Sequence, residues 1–255
     1  MSALHLKIDG VIAELRLDNP DKLNCLTVPM LEQLEAHCHA LERSPDVRVV
    51  LLTAEGDSVF CAGADIKAWG GLSPFEFSRN WIRDGHRVFN RLAGLVQPTI
   101  AVISGHAFGG GLELATTCDL RVSSPKANYA LPETSVGVVP GWSGTQRLSG
   151  HIPPAILKEM ALLGNRLTAE RAYEIGFINA ISDDPYATAM EMGEQIISKS
   201  PRANEVTKYM LNAALGEDTK TMIEALGGGM ISASEDNAEG VTSFREKRKP
   251  EFPGK

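Results

Sequence analysis

The segment SGHAFGGGLELA, residues 104–115, joins a buried apolar run to the start of a helix through three consecutive glycines. Glycine lets the backbone approach a neighbouring group closely, and the first N–H groups of a helix have no intrahelical acceptor. Such a turn can bind an oxyanion, because the helix dipole favours negative charge there. The same glycines also fit a tight strand-to-helix connection that binds no ligand.

Glu113 lies two residues after the last of these glycines, among apolar neighbours. Taken alone, it fits an exposed first-turn glutamate favoured by the helix dipole. A second glutamate, Glu133, lies in a segment broken by proline and glycine, ALPETSVGVVPGWSGTQRL, where it equally fits a surface turn. Addition of water to a double bond requires two such groups, since one activates water and the other manages the proton on the adjacent carbon.

The apolar pattern of the first half predicts an α/β architecture. Alternating apolar residues predict a hairpin over residues 4–17, with its turn at Asp9 and Gly10. Helical spacing predicts a helix from Thr27, its cap, to Arg43. Runs rich in β-branched residues predict buried strands at residues 47–54, 99–105 and 119–124. Strand, small-residue loop and helix follow one another repeatedly, which is typical of layered α/β folds.

After about residue 150 the pattern becomes helical. The predicted helices are residues 155–163, 168–175, 185–199, 202–215, 218–232 and 235–247. We expect a core that carries the site at residues 1–190 and a C-terminal helical region at residues 191–255. A helical appendage on an α/β core often packs on a neighbouring subunit, so the second region predicts an oligomer.

Composition and charge narrow the class of protein. The formal charge of −7 gives no global basic field for nucleic acid. Four cysteines without a C-x-x-C pair argue against a zinc site and fit reduced thiols. The first residues resemble neither a secretory signal nor a presequence, and no apolar run approaches the length of a membrane span. These features predict a cytoplasmic protein that has no metal site and neither nucleic acid nor membrane as a partner.

A second small-residue loop, FCAGADIK at residues 60–67, also follows a buried strand. Its backbone N–H groups could supply another oxyanion donor and Lys67 could meet a phosphate, although a connector with a solvated lysine explains it as well. Familiar glycine motifs fail here: residues 105–111 lack the dinucleotide and P-loop spacings. Thr145 occupies the last glycine position of a G-x-S-x-G elbow, so Ser143 is a poor nucleophile candidate.

Together these segments resemble the enoyl-CoA hydratase/isomerase (crotonase) superfamily over nearly the whole chain. The matching pieces, in the family's order, are NPDKLNCLT (19–27), FCAGADIK (60–67), GHAFGGGLELATTCDLRV (105–122), ALPETSVGVVPGWSGTQRL (130–148), ERAYEIGFIN (170–179) and SFREKRKPEF (243–252). The resemblance implies a spiral core of ββα units with two roughly perpendicular sheets, followed by a helical trimerisation region. It also implies a homotrimer, or a hexamer built as a dimer of trimers.

The resemblance further implies a site for an acyl-CoA thioester. The backbone N–H groups of Ala64 and Gly110 would hold the thioester oxygen, and Glu113 and Glu133 would be the catalytic residues. Glu133 would exchange the proton at Cα, and Glu113, with it, would activate water for Cβ. The residues implied to contact substrate or CoA are Lys22, Ala62, Ala64, Asp65, Ile66, Lys67, Gly110, Gly141 and Trp142. No cofactor is implied, since coenzyme A is part of the substrate.

Having both glutamates favours an enoyl-CoA hydratase that adds water reversibly to a 2-enoyl-CoA. An isomerase or a CoA-thioester hydrolase on the same fold, a carnitinyl-CoA dehydratase-like enzyme and a non-catalytic acyl-CoA binding protein are the alternatives. Trp142 departs from the small residues that many hydratases have here. It would either narrow the acyl pocket or pack on the surface.

Overall fold

The computed structural model describes residues 2–217 and 219–255. The chain divides into two compact units, Met1–Asn204 and Glu205–Lys255. The strands are β1 (Ala3–Asp9), β2 (Ile12–Asp18), β3 (Val49–Ala54), β4 (Val59–Cys61), β5 (Thr99–Ile103), β6 (His106–Phe108), β7 (Leu120–Ser123), β8 (Asn128–Ala130), β9 (Leu167–Thr168) and β10 (Ala180–Ile181). The helices are α1 (Val28–Glu42), α2 (Ile66–Trp69), α3 (Pro74–Glu76), α4 (Arg83–Ala93), α5 (Gly110–Thr116), α6 (Gly144–His151), α7 (Pro154–Leu163), α8 (Ala169–Glu174), α9 (Pro185–Ile197), α10 (Pro201–Ala214), α11 (Thr219–Ser232) and α12 (Glu235–Glu246).

The hairpin and the first helix form where the sequence predicts them. β1 pairs antiparallel with β2, and Asp9 pairs with Ile12, so the turn residues are Gly10 and Val11, one position later than predicted. Gly10 has a φ of +58°, which glycine adopts at little cost. The Thr27 side chain accepts a hydrogen bond from the Met30 N–H and caps α1 as expected.

The strands form two sheets. The six-stranded sheet has the order β1-β2-β3-β5-β7-β10, and the four-stranded sheet has the order β4-β6-β8-β9. Each long buried strand of the first sheet is followed by a short strand of the second, and the successive pairs add in parallel along both sheets. This repeated step is the ββα spiral expected from the resemblance.

The predicted strands at 47–54, 99–105 and 119–124 are confirmed as β3, β5 and β7. All three lie in the interior of the six-stranded sheet, and their residues are mostly buried. Parallel strands covered on both faces read as continuous apolar runs, which is why the sequence shows them clearly. The strands of the second sheet have only two or three residues and carry no such run, so only the tertiary structure reveals them.

The predicted C-terminal helices are present in both units, although residue 218, where one prediction begins, lies outside the described residues. Helix α9 belongs to the first unit, because Ala189 is fully buried in an apolar cluster with Val49, Leu51 and Ile100. The domain limit expected at residues 190 and 191 falls inside this helix, whereas the compact units divide between Asn204 and Glu205. No helix among the described residues has the length and apolar character needed to cross a membrane.

Within the second unit, the C-terminal segment returns along α12. Arg248 donates to both carboxylate oxygens of Glu239, at 2.5 and 2.8 Å. The Gly254 N–H donates to Asp236 Oδ1 at 2.7 Å. These bonds fix the end of the chain against the last helix.

Candidate active site

The second, short sheet of the spiral gathers the loops that the sequence singled out. The strands β4, β6 and β8 run parallel, so their carboxyl ends lie along one edge of the sheet. β4 leads into the loop 62–65, β6 leads into the glycine run, and β8 leads into the turn that begins at Glu133. Ligand sites in parallel sheets commonly form outside the carboxyl ends of the strands. Segments about 70 residues apart along the chain therefore meet at one place.

At this edge lies a cavity of about 210 Å³. Its lining includes eight of the predicted site residues: Ala62, Ala64, Ile66, Gly110, Glu113, Glu133, Gly141 and Trp142. The rest of the wall is mainly apolar: Gly63, Trp69, Phe77, Trp81, Ile82, Gly109, Pro132, Ser135, Val136, Val138 and Val139. Three residues predicted to bind CoA, Lys22, Asp65 and Lys67, do not line this cavity.

Glu113 is almost fully buried, at 3% exposure, so the exposed first-turn interpretation is wrong. Its Oε1 accepts hydrogen bonds from the backbone N–H groups of Trp142 at 2.8 Å and Gly144 at 2.7 Å. Burial raises the pKa of Glu113, and the N–H donors on the 141–144 turn oppose that rise because they stabilise the ionised form. The carboxyl group is thus held in one orientation at the cavity wall.

The turn that holds Glu113 depends on an unusual backbone at Ser143. This residue has a φ of +84° although it is not glycine. A left-handed residue between two others turns their N–H groups toward one side, so those of Trp142 and Gly144 converge on a single oxygen. The Ser143 hydroxyl lies 3.1 Å from His86 Nδ1 on α4, and this contact fixes the strained residue in place. The family resemblance pointed to Gly141 as a substrate contact, whereas the role of the Gly144 N–H as a donor to Glu113 emerges only from the structure.

Glu133 begins a single 3₁₀ turn and lies on the same cavity. Its Oε2 atom is buried and, within the described part of the chain, has no hydrogen-bond partner. Burial, together with the charge of Glu113, raises the pKa of Glu133 to about 7. The surface-turn interpretation is therefore wrong, because the Glu133 carboxyl group faces a mainly apolar cavity rather than solvent.

Two of the glycines are required for different reasons. Gly109 has a φ of +50°, and a methyl group on it would lie 2.7 Å from Glu133 Oε1. Gly111 packs so closely on β4 that a methyl group would lie 2.1 Å from the Cys61 carbonyl oxygen. The first glycine makes room for the Glu133 carboxyl group, and the last lets α5 start directly against the neighbouring strand.

The loops of Ala64 and Gly110 approach each other closely. A methyl group on Gly110 would lie 3.5 Å from the Ala64 nitrogen, and one on Gly63 would lie 3.4 Å from the Gly110 nitrogen. The Leu26 N–H donates to the Gly63 carbonyl oxygen at 2.8 Å, and the Asp65 N–H donates to the Leu26 carbonyl oxygen at 2.9 Å. The N–H of Ala64, which lies between Gly63 and Asp65, is therefore on the side of this extended segment that faces away from Leu26. Gly110 is the first residue of α5, where N–H groups lack helical acceptors. The geometry suits the two predicted donors of an oxyanion hole.

Trp142 is buried at 2% exposure, so it does not pack on the surface. Its indole N–H donates to the Trp81 carbonyl oxygen at 3.2 Å, and its ring lies 5.0 Å from that of Trp81 and 5.3 Å from that of Phe89. Gly110 packs against the same ring, since a methyl group on Gly110 would lie 3.1 Å from the indole. Trp142 is therefore a fixed wall of the cavity beside the loop of Gly110.

The charged residues predicted to bind CoA lie together beside α2. Lys22 pairs with Asp65 at 3.2 Å, and the Asp65 carboxylate also caps α2 through the Lys67 N–H at 3.0 Å. Lys67 is exposed. Asp65 thus acts as a helix cap here, and a contact of any of the three with CoA stays a prediction. Within residues 2–217 and 219–255, no three His, Cys, Asp or Glu side chains are grouped as a metal site.

The position of Gly109 gives a direct test of the cavity geometry. In Gly109→Ala, the new methyl group would displace the Glu133 carboxyl group and strain the backbone, so we expect activity to fall about 10²-fold or more and stability to fall by about 1–3 kcal/mol. Gly10→Ala is the matched control, because Gly10 also has a positive φ of +58° but open space around it. Equal losses of activity in the two variants, measured beside their thermal unfolding, would contradict the contact with Glu133.

Comparisons with known proteins identify the family of the chain. A family model described as enoyl-CoA hydratase/isomerase matches residues 7–255. The short-chain-enoyl-CoA hydratase of Clostridium acetobutylicum is 33% identical over 96% of this chain and 95% of its own length. The carnitinyl-CoA dehydratase of Proteus mirabilis is 33% identical over 99% of both chains. A solved enoyl-CoA hydratase from Bacillus anthracis superposes with a TM-score of 0.80 and 30% identity, again over 99% of both chains.

The match runs from the first strand to the last residue, and the fold repeats the two-sheet spiral of the solved relatives. The glycine loops, the two glutamates and the 141–144 turn lie within the matched range. The chain belongs to the enoyl-CoA hydratase/isomerase family.

Proposed function

We propose that this protein is an enoyl-CoA hydratase that adds water reversibly to the double bond of a 2-enoyl-CoA thioester to give a 3-hydroxyacyl-CoA. The observation that carries the proposal is that Glu113 and Glu133 line one small cavity together with Ala64 and Gly110. Two carboxyl groups beside two backbone donors are the groups that this reaction needs. The names of the relatives, hydratases and a dehydratase, support the same class of reaction.

In the proposed mechanism, the N–H groups of Ala64 and Gly110 hold the thioester oxygen. As water attacks Cβ, negative charge develops on this oxygen, and donors fixed in advance stabilise that charge most where water is excluded. Glu113 takes the proton of the attacking water, helped by Glu133. In hydration Glu133 gives its proton to Cα, and the proton that Glu113 has taken from water restores the single proton of the pair. Coenzyme A enters as part of the substrate, and the proposal uses no further cofactor.

The environments of the two glutamates suit these roles. Glu113 keeps a fixed orientation through its two backbone donors, as a group that positions water must. Glu133 has a pKa of about 7, close to neutral pH, which favours proton transfer in both directions. Because ionisation of one carboxyl group disfavours ionisation of the other, we expect Glu113 and Glu133 to hold one proton between them in the active enzyme.

This proton sharing predicts the pH dependence. A carboxyl group with a pKa of about 7 loses its proton as the pH rises through that value. Hydration needs this proton for Cα, so kcat/KM should fall as the pH rises above about 7, and fall again at low pH where Glu113 is protonated. Hydration consumes no net proton, so its equilibrium constant does not change with pH and dehydration must show the same profile. A flat profile between pH 6 and 9, or different profiles in the two directions, would contradict the shared proton.

A screen with an acyl-CoA panel, with products identified by mass, tests the function. Crotonyl-CoA, longer enoyl-CoAs, branched enoyl-CoAs and carnitinyl-CoA form a suitable set. Gain of one water by an enoyl-CoA supports a hydratase, and loss of one water from carnitinyl-CoA supports the reverse direction. An unchanged mass with a shifted double bond would instead indicate an isomerase, release of free CoA a hydrolase, and binding without turnover a non-catalytic protein.

We also propose that the protein assembles as a homotrimer or a hexamer of two trimers. In support, the C-terminal unit exposes large apolar side chains to solvent: Met230 is 83% exposed and Phe244 is 86% exposed. Exposed apolar surface of this kind is typical of interfaces. Light scattering coupled to size exclusion measures the mass, and a monomer would contradict the assembly. The cytoplasmic location stays a prediction from the sequence.

A further inference from the structure

A second cavity, of about 400 Å³, lies behind one wall of the candidate active site. It is lined by α1, α2, α4 and the π-helical turn Phe77–Ile82 that precedes α4. Among the residues that the structure describes, Trp81 on the π-helical turn is the one that lines both cavities. The two spaces are therefore separated at this side chain.

Trp81 is a buried side chain held in place between the two cavities. The residue is only 7% exposed, and its ring packs 5.0 Å from that of Trp142 in the first cavity. Its carbonyl oxygen, which accepts the Trp142 indole N–H at 3.2 Å, ties the π-helical turn to the wall of the active site. π-Helical turns within α-helices occur frequently at functional sites, because they redirect one side chain at a cost in local stability.

The second cavity suits an apolar guest. Its floor consists of apolar side chains: Val28, Leu31, Ala68, Leu72, Trp81 and Val88. Its charged residues include Glu35 and Asp84, both of which pair with Arg87. The lining also holds Glu32. A hydrocarbon chain that lies on the apolar floor would leave the ion pairs of Arg87 in place.

We propose that Trp81 determines the longest acyl chain that the active site accepts, by closing the first cavity off from the second. The inference rests on the proposed function for the identity of the ligand, an acyl-CoA thioester. With the indole in place, the chain end is confined to the smaller cavity. With the indole removed, the far end of a longer chain enters the second cavity and buries its methylenes against the apolar floor.

Binding of saturated acyl-CoA thioesters, from butanoyl-CoA to hexadecanoyl-CoA, tests this without any need for turnover. For the native protein we expect affinity to rise with chain length and then stop rising or fall. In Trp81→Ala we expect the rise to continue over several further methylenes, by up to about fourfold for each, as burial of one methylene contributes about 0.8 kcal/mol. Trp81→Leu, which keeps more of the packing, should shift the limit in the same direction if the alanine variant folds poorly.

Two further variants test whether loss of the Trp81 ring joins the first cavity to the second or only enlarges the first. Phe77→Ala removes an aromatic ring that lines the first cavity alone, so its gain should end after one or two methylenes. Ala68→Leu, added to Trp81→Ala, places a larger side chain in the second cavity and should reverse the gain.

An unchanged limit in both Trp81 variants would overturn the inference, as would native binding that already tightens up to hexadecanoyl-CoA. A shifted binding limit without hydration of any enoyl-CoA would refute the proposed function and leave the role of Trp81 standing. No binding of any thioester would overturn both.

Discussion

Glu133→Gln is expected to lower the rate of hydration by about 10²–10⁴-fold and, at the same time, to stabilise the folded protein above pH 7. The amide keeps the shape of the side chain but cannot exchange a proton at Cα. An activity loss with unchanged or greater stability separates a catalytic role from damage to the fold. The rate with crotonyl-CoA or the best substrate of the panel is the first measurement, and an unchanged rate would remove Glu133 from the mechanism.

The stability gain follows from the raised pKa. Glu133 holds its proton up to a pH of about 7 in the folded protein, whereas it loses the proton near 4.5 when unfolded. The folded state thus binds more protons between these values, and the native protein loses stability as the pH rises through them. That pKa difference corresponds to about 3 kcal/mol above pH 7. The glutamine variant lacks this loss.

Denaturant unfolding of both proteins at pH 5 and pH 8 measures the difference. We expect nearly equal free energies of unfolding at pH 5 and a clearly higher value for the variant at pH 8. If the variant and the native protein differed by the same free energy of unfolding at pH 5 and at pH 8, the carboxyl group of Glu133 would not be desolvated in solution. Asp57→Asn is a suitable control, since Asp57 is an exposed carboxylate paired with Lys126 on the surface.

Glu113→Gln is expected to lower hydration by a similar factor, about 10²–10⁴-fold, while exchange of the Cα proton persists. The glutamine carbonyl oxygen can still accept from the N–H groups of Trp142 and Gly144, so the turn keeps its geometry. Activation of water is lost because an amide is not a base. Exchange of the Cα protons of butanoyl-CoA in heavy water, followed by mass, tests the division of roles.

The two glutamine variants should therefore differ in this exchange reaction. Exchange retained in Glu113→Gln and lost in Glu133→Gln supports the proposed roles, and the reverse result would exchange them. Glu113→Ala serves as a structural comparison. It leaves two buried N–H groups without their acceptor, which costs about 1–3 kcal/mol for each, so this variant should be clearly less stable than Glu113→Gln.

Elements with a clear local pattern of apolar and turn residues could be predicted from the sequence. The helix capped by Thr27 and the buried strands β3, β5 and β7 follow from apolar periodicity and turn residues within single segments. The short strands of the second sheet escape this kind of reasoning. A strand of three residues has too few side chains to show a period, and it is specified by its neighbours rather than by itself.

The same distinction holds for the residues of the candidate site. The family resemblance rests on motifs of residue types at fixed spacing, and it led to both glutamates and to the loops of Ala64 and Gly110. Considered one by one, the same residues pointed toward exposed positions, because a lone first-turn glutamate and a polar residue on a turn are usually solvated. Burial corrected those interpretations, since exposure depends on what packs over a residue and not on its immediate neighbours in sequence.

By itself, the sequence determined the layered α/β architecture, the helical C-terminal part and the identity of the two carboxyl groups. Only the tertiary structure decided that these groups share one cavity, that the left-handed Ser143 directs two N–H groups onto Glu113, and that Trp142 forms the cavity wall. It alone placed Trp81 between two cavities. The physical reason is that solvation and proton affinity are set by groups far apart in the chain, which meet only when the parallel strands of the spiral align their carboxyl ends.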